Sequence, residues 1–253
     1  MMTPMRLAYQ RFTSCSGCQL TLLNCEGELA QWAQMLQLVD FAMASSAADD
    51  GGPLDLALVE GSISTPEQLR QLLQLRRRAR LLVAVGACAL SGGVNSLAGS
   101  GSELERLSQG IYGQPAVARE TFPAQPIGRF VAIDLELPGC PPEGRDYLAL
   151  FGALRFGGEP WQPGYPVCME CRLRDNLCLL IEARQPCLGP VTRAGCAARC
   201  PSAGVVCEGC RGWVAEANRD QQFRLLLELG LSEGQIAARM QRFAGRGDEN
   251  AGR

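Results

Sequence analysis

Eight cysteines crowd into one short stretch of this chain: Cys168, Cys171, Cys178, Cys187, Cys196, Cys200, Cys207 and Cys210, spaced x2, x6, x8, x8, x3, x6 and x2. The stretch is rich in Gly and Pro and has too few large apolar residues to build a core of its own. A segment of that kind needs a metal or a cluster as its folding nucleus. The full sequence of 253 residues carries 13 Cys and no His. In a reducing cytosol dense cysteine points to metal or redox chemistry rather than disulfides. The missing His removes the commonest general base and zinc partner, and with them any Ser-His-Asp or Cys-His centre within this chain. Any site here is built from thiolates.

Eight thiolates are enough for two cubanes. The run AGCAARCP supplies the C-x3-C-P element of bacterial ferredoxins, in which the Pro-flanked Cys ligates the other cluster. Paired CxxC is also the mark of four-cysteine zinc ribbons, so the pattern speaks more strongly for metal than for which metal. The division of the eight between two sites is open. Ferredoxin precedent favours crossing over, but these spacings depart from the compact ferredoxin pattern.

Upstream the texture differs. Apolar runs at 6–12, 55–59, 81–85 and 130–135 read as strands, and most are separated by helical patterns. The helix predicted at 66–79 has Thr65 as N-cap, Pro66 in the first position and Gln68 to complete a capping box. Its Leu69, Leu72, Leu73 and Ala79 form an apolar face opposite Arg70, Arg76, Arg77 and Arg78, a solvated stripe. Strands alternating with helices predict an α/β fold with a parallel sheet and helices on both faces. Cys15 and Cys18, Cys88, and Cys140 each fall just beyond the carboxyl end of a predicted strand, where open α/β sheets gather their ligands. Gly17, Gly86 and Gly139 allow close approach to a bulky inorganic core. These four thiolates suit one [4Fe–4S] cubane. Cys25 lies seven residues after Cys18 on a predicted helix, a rise of about 10.5 Å, too far to share that cubane; it reads as core.

The Gly/Pro-rich 156–166 is a linker, which divides the chain into 1–157, the sheet domain, and 158–253, a Cys-rich domain followed by a helix from 214 to about 243. The tail GRGDENAGR reads as disordered. A net charge of −2 without a block of like charges gives no nucleic-acid footprint. No apolar stretch reaches the roughly 18 residues of a membrane span, and the first residues show neither an apolar h-region nor twin Arg. The expectation is a soluble cytoplasmic protein.

The segments TSCSGCQLTLLNCEGEL (13–29), LVEGSIST (58–65), VGACALSGG (85–93), LPGCPPEGRDYL (137–148), YPVCMECRLRDNLC (165–178) and PCLGPVTRAGCAARCPSAGVVCEGCRG (186–212) closely resemble the small subunit of cytoplasmic [NiFe] hydrogenases, in particular the delta subunit of the NAD(P)-linked sulfhydrogenase type. The resemblance implies a flavodoxin-like domain with a proximal [4Fe–4S] cluster on Cys15, Cys18, Cys88 and Cys140, and two more cubanes on the eight later cysteines. It implies electron transfer and no catalytic residue in this chain. The hydrogen-cleaving nickel–iron centre would lie on a large subunit. Electrons would pass to a flavin-containing NAD(P)-linked diaphorase subunit, with a further iron–sulfur subunit as another expected partner. Gln19 stands beside Cys18 where some relatives carry Glu, and Glu60 of the VEGS turn is either a cap or a functional neighbour of the cluster. Three other readings stand beside this one: an iron–sulfur subunit of a respiratory quinone-reducing complex, a stand-alone ferredoxin-like shuttle, and a zinc-stabilised scaffold.

Overall fold

The computed structural model describes residues 4–46, 49–99, 101–115 and 120–244; the tail expected to be disordered lies outside them. Five parallel strands form one sheet in the order β2-β1-β3-β4-β5: β1 Met5–Arg11, β2 Leu36–Asp40, β3 Leu54–Glu60, β4 Ala79–Val85 and β5 Leu135–Leu137. The central strands carry near-continuous apolar runs because both of their faces are covered. On one face Leu7, Tyr9, Leu56, Leu58, Val83 and Val85 pack against α1 (Gly17–Leu23), α2 (Glu26–Ala33) and α6 (Gly144–Arg155), with Trp32 edge-on to Phe151 at 5.1 Å. On the other face Ala8, Ala57, Val59, Leu82 and Ala84 meet α3 (Pro66–Arg78) and α4 (Gly86–Ser91). An amphipathic α5 (Gly101–Tyr112) follows α4.

Three sequence expectations change. The edge strand β2 was not among the four apolar runs, because only Leu36 and Val39 of its five residues are buried. The run at 130–135 is not a strand. Phe130, Val131 and Ile133 pack sideways onto the core, Asp134 takes the Leu82 N–H on its carboxylate at 2.7 Å, and pairing begins only at Leu135. In α3 the buried residues are Leu72 and Leu75, while Leu73 is exposed and Ala79 already belongs to β4.

The start of α3 follows the sequence closely: Thr65 Oγ1 accepts the Gln68 N–H at 3.2 Å. The Gln68 side chain takes the Ser64 N–H instead of that of Thr65. The Arg stripe is more than solvated, since Arg76 pairs with Asp134 and Arg78 grips both oxygens of Asp49.

Beyond 156–166 the chain has little regular structure: α7 (Val167–Arg172), a single turn at Gly189–Val191 and α8 (Arg199–Ser202). The helix expected from 214 onward is two helices, α9 (Arg219–Glu228) and α10 (Glu233–Ala244), broken where Gly230 takes a φ of +90°. The Cys-rich segment docks on the sheet domain through Arg193–Glu136, Arg199–Glu143 and Arg211–Asp146. At the far end the Ser91 hydroxyl of α4 donates to the Phe243 carbonyl of α10.

Candidate metal centres

In the order 2-1-3-4-5 the strand sequence reverses between β1 and β3, and ligands of open α/β sheets gather at the carboxyl ends of such a switch. The β1–β3 ladder ends there on Arg11 and Glu60. Just past it the chain turns through Ser16, with φ +66°, into α1, so that Cys15 precedes the helix and Cys18 lies in its first turn. Cys88 sits in α4 directly after β4, and Cys140 lies three residues past β5. The Ala87 N–H donates to the Gly139 carbonyl at 2.8 Å and ties these two segments together. Gly86 has a φ of +80°, and a Cβ there would stand 2.5 Å from Cys18 Sγ. Only glycine leaves the sulfur its place.

The four thiols meet electrostatically as one group. Burial pushes Cys18, Cys88 and Cys140 up, Cys88 to about 12, and neighbouring members of the set push each of them further. Buried thiols of this kind become thiolates when a metal core supplies the positive charge. Among the described residues no three Cys, Asp or Glu converge as closely as one ion requires. Four thiols at one sheet edge, with Gly86 leaving room beside Cys18 Sγ, are a donor set that fits a [4Fe–4S] group.

Glu60 is fully buried. One carboxylate oxygen accepts the Gln19 N–H at 3.0 Å, while Oε1 has no partner among the described residues. Burial holds this carboxyl above its usual range, with the Gln19 N–H pulling the other way. Gln19 is equally buried, and its side-chain amide donates to the Tyr9 carbonyl at 3.1 Å. Sequence reasoning missed Tyr9 and Tyr147. The Tyr147 hydroxyl donates to the Cys18 carbonyl at 2.9 Å, so the Tyr9 hydroxyl must donate to Tyr147, also at 2.9 Å. The sequence offered for them only a Tyr within the predicted strand at 6–12 and another within the segment 137–148.

The eight later cysteines divide in chain order. Cys168, Cys171, Cys178 and Cys187 line one largely apolar cavity of about 250 Å³. Cys196, Cys200, Cys207 and Cys210 line another of about 350 Å³. The two cavities group the eight cysteines in chain order, without the crossing that ferredoxin precedent favours. Burial raises Cys168 to about 12, and the thiols that add to it are Cys187, Cys171 and Cys178. Cys210 rises to about 11, with Cys196, Cys140 and Cys200 beside it. Neighbouring sites touch. Cys140, Pro141 and Pro142 form a wall of the second cavity, and the Cys140 backbone amide hydrogen-bonds to Cys210. The Cys207 N–H donates to Cys187 Sγ at 3.3 Å.

Cys25 joins none of the three groups. It does not lie within a continuous helix but caps α2 at the break after α1, its thiol donating to the Thr21 carbonyl at 3.3 Å.

Residues 15–154 match the family described as NADH ubiquinone oxidoreductase, 20 Kd subunit. Sulfhydrogenase 2 subunit delta of Pyrococcus furiosus is 36% identical over 95% of this chain and 99% of its own length. A subunit of the F420-non-reducing hydrogenase of Methanocaldococcus jannaschii is 31% identical over 78% of each chain. A chain of an NAD+-reducing [NiFe]-hydrogenase in the H2-reduced state superposes with a TM-score of 0.55 at 28% identity, covering 64% of this chain and 96% of that one. The [NiFeSe]-hydrogenase of Dm. baculatum shares the fold at a TM-score of 0.59 and 17% identity, over 87% of this chain and 98% of its own. The family match ends before the eight-cysteine segment, and the delta-subunit relative aligns through it. The chain thus belongs to the 20 kDa-subunit family, as an iron–sulfur electron-transfer small subunit of the hydrogenase type.

Proposed function

We propose that twelve of the thirteen cysteines hold three [4Fe–4S] clusters in line. The proximal site is Cys15, Cys18, Cys88 and Cys140; the medial site is Cys196, Cys200, Cys207 and Cys210; the distal site is Cys168, Cys171, Cys178 and Cys187. The division of the cysteines into three groups of four, adjoining at Cys140/Cys210 and at Cys207/Cys187, is the observation that supports this reading. Bound there, the clusters would supply one-electron redox centres. The chain contributes thiolates, low polarity and hydrogen bonds to sulfur, such as the Ile181 N–H on Cys178 Sγ at 3.4 Å.

The chain relays electrons between the nickel–iron centre of a large subunit and a flavin-containing NAD(P)-linked diaphorase, with a further iron–sulfur subunit as an additional partner, in the cytoplasm. No described helix is long and apolar enough to cross a membrane. Residues 1–157 carry the proximal cluster and 158–253 the other two. The proximal rim, where Cys15 and Cys140 are exposed beside a half-exposed Leu20, faces the large subunit.

Anaerobic purification of the tagged chain from its native cell, with iron, sulfide and zinc assays and identification of co-purifying chains, tests the proposal. About twelve irons per chain and a larger nickel-containing partner are expected. Two zinc atoms with about four irons would make the Cys-rich segment a structural ribbon. A soluble, partner-free monomer with full cluster content would make the chain a shuttle.

A further inference from the structure

The medial site differs from the distal one in having a buried cation on its wall. Arg211 follows Cys210 directly, is 4% exposed and lines the medial cavity. Its Nε donates to the Ala194 carbonyl at 2.8 Å, and its two terminal nitrogens donate to the two oxygens of Asp146 at 2.8 and 3.3 Å. Asp146 approaches from α6 and is not part of the cavity lining. Of the pair, the cation is therefore the member that borders the medial cavity, which Glu143, Arg199 and Glu208 also line. The backbone is shaped for this arrangement. Gly195, next to Cys196, has a φ of +115°, and a Cβ there would lie 2.4 Å from an Arg211 nitrogen, so the guanidinium rests flat on the loop that carries a medial cysteine. The distal cavity is also bordered by an arginine, but Arg172 there is exposed to solvent, where water screens it.

A guanidinium stays charged at any working pH, and a buried charge acts through a low local dielectric. Reduction of a cluster adds one negative charge, breaks no bond and needs no proton. A fixed cation beside it stabilises the reduced form and raises its potential. We propose that Arg211 is a positioning residue whose buried positive charge raises the reduction potential of the medial cluster. This rests on the assignment of a cluster to Cys196, Cys200, Cys207 and Cys210.

The test is a dithionite titration of the cluster-loaded complex followed by electron paramagnetic resonance, the medial signal being identified by its loss in Cys207→Ser. Arg211→Gln should shift the medial one-electron equilibrium at least tenfold toward oxidised, a fall of about 59 mV, and leave the other two signals in place. Arg211→Lys, which keeps the charge, should restore most of the shift. Asp146→Asn keeps the cation and removes its counter-charge, so the medial potential should rise. That opposite sign is something a purely structural defect would not produce, and it decides the matter if Arg211→Gln fails to hold its cluster. Equal shifts of all three signals, a shift in the same direction for Asp146→Asn and Arg211→Gln, or no shift in either would overturn the proposal. If Cys207→Ser and Cys210→Ser both keep every cluster signal, the site assignment itself fails, a result distinct from any shift in potential.

Discussion

Gly86→Ala tests the proximal site with a single methyl group. Gly86 has a φ of +80°, and the new Cβ would lie 2.5 Å from Cys18 Sγ and 3.4 Å from the Gly139 carbonyl oxygen. An unstrained contact needs about 3.5 Å or more, so sulfur and methyl overlap by roughly 1 Å. The left-handed backbone adds about 1–2 kcal/mol for a residue with a Cβ. Overpacking of a filled interior adds about 1–3 kcal/mol. The sum, about 2–5 kcal/mol, is a large share of the 5–15 kcal/mol that holds a typical domain together. Cys18 can relieve the overlap only by moving its sulfur, and a ligand constellation tolerates displacements of only about 0.5 Å. The expected result is a chain that loses about four irons while keeping the rest, with a lower urea midpoint. Gly110→Ala is the control: it sits in α5 with nothing within 4 Å of the new methyl, and should be neutral or slightly stabilising. Full iron content in Gly86→Ala, with an unfolding free energy within about 0.5 kcal/mol of the parent, would refute the geometry of the proximal site.

Other substitutions separate the remaining elements. Cys25→Ser should leave all iron in place, because the thiol points to Thr21 and not to any of the three sites; loss of a resonance signal in the reduced variant would contradict this. Tyr147→Phe strands the Cys18 carbonyl and the Tyr9 hydroxyl in the core, which should destabilise by about 1–3 kcal/mol in urea unfolding, and an unchanged midpoint would show that water or rearrangement replaces the bond. Cys178→Ser and Cys187→Ser should abolish one and the same cluster signal, and Cys196→Ser and Cys210→Ser another. Any signal lost in both groups would restore the crossed pairing.

Most of the sheet was legible because β1, β3 and β4 are buried on both faces and announce themselves as unbroken apolar runs. Strand β2 was not, since an edge strand with two buried side chains has no such run. The residues at 130–135 misled for the opposite reason: they are apolar to fill the core, and the ladder begins after them. Strand ends placed Cys15, Cys18, Cys88 and Cys140 at one edge, because a parallel sheet delivers its carboxyl ends there, although the strand before Cys140 is shorter and later than expected. Sequence spacing left the division of the other eight open. It depends on how loops without regular structure fold back, which local pattern does not encode. Tyr9, Tyr147 and Arg211 escaped notice because each acts through a partner more than a hundred, or in the last case sixty-five, positions away.

The path of the chain through these loops differs from the order of the sites in space. After 156–166 the chain first forms the cavity of Cys168 to Cys187, proposed as the distal site, and only then turns back to that of Cys196 to Cys210, proposed as the medial site, against Cys140. Glu170 of α7, between the first two distal cysteines, accepts the Gly195 and Ala198 N–H groups at 2.9 and 3.2 Å, and so pins the returning loop to the outgoing one. The chain then runs on through α9 into α10. From α10, Arg239 and Arg242 each hold an oxygen of Glu208, at 2.6 and 2.8 Å, inside the Cys207–Cys210 turn. The last residues of α10 bond to Ser91, in the helix that carries Cys88. The turn that bears Cys207 and Cys210 and the helix that bears Cys88 are thereby fixed to a common brace. Electron tunnelling falls steeply with distance, so a relay needs its neighbouring sites held at constant separation. A segment this poor in core residues gains rigidity by doubling back onto the sheet domain, where a simple extension away from it would leave the proposed medial site free to drift.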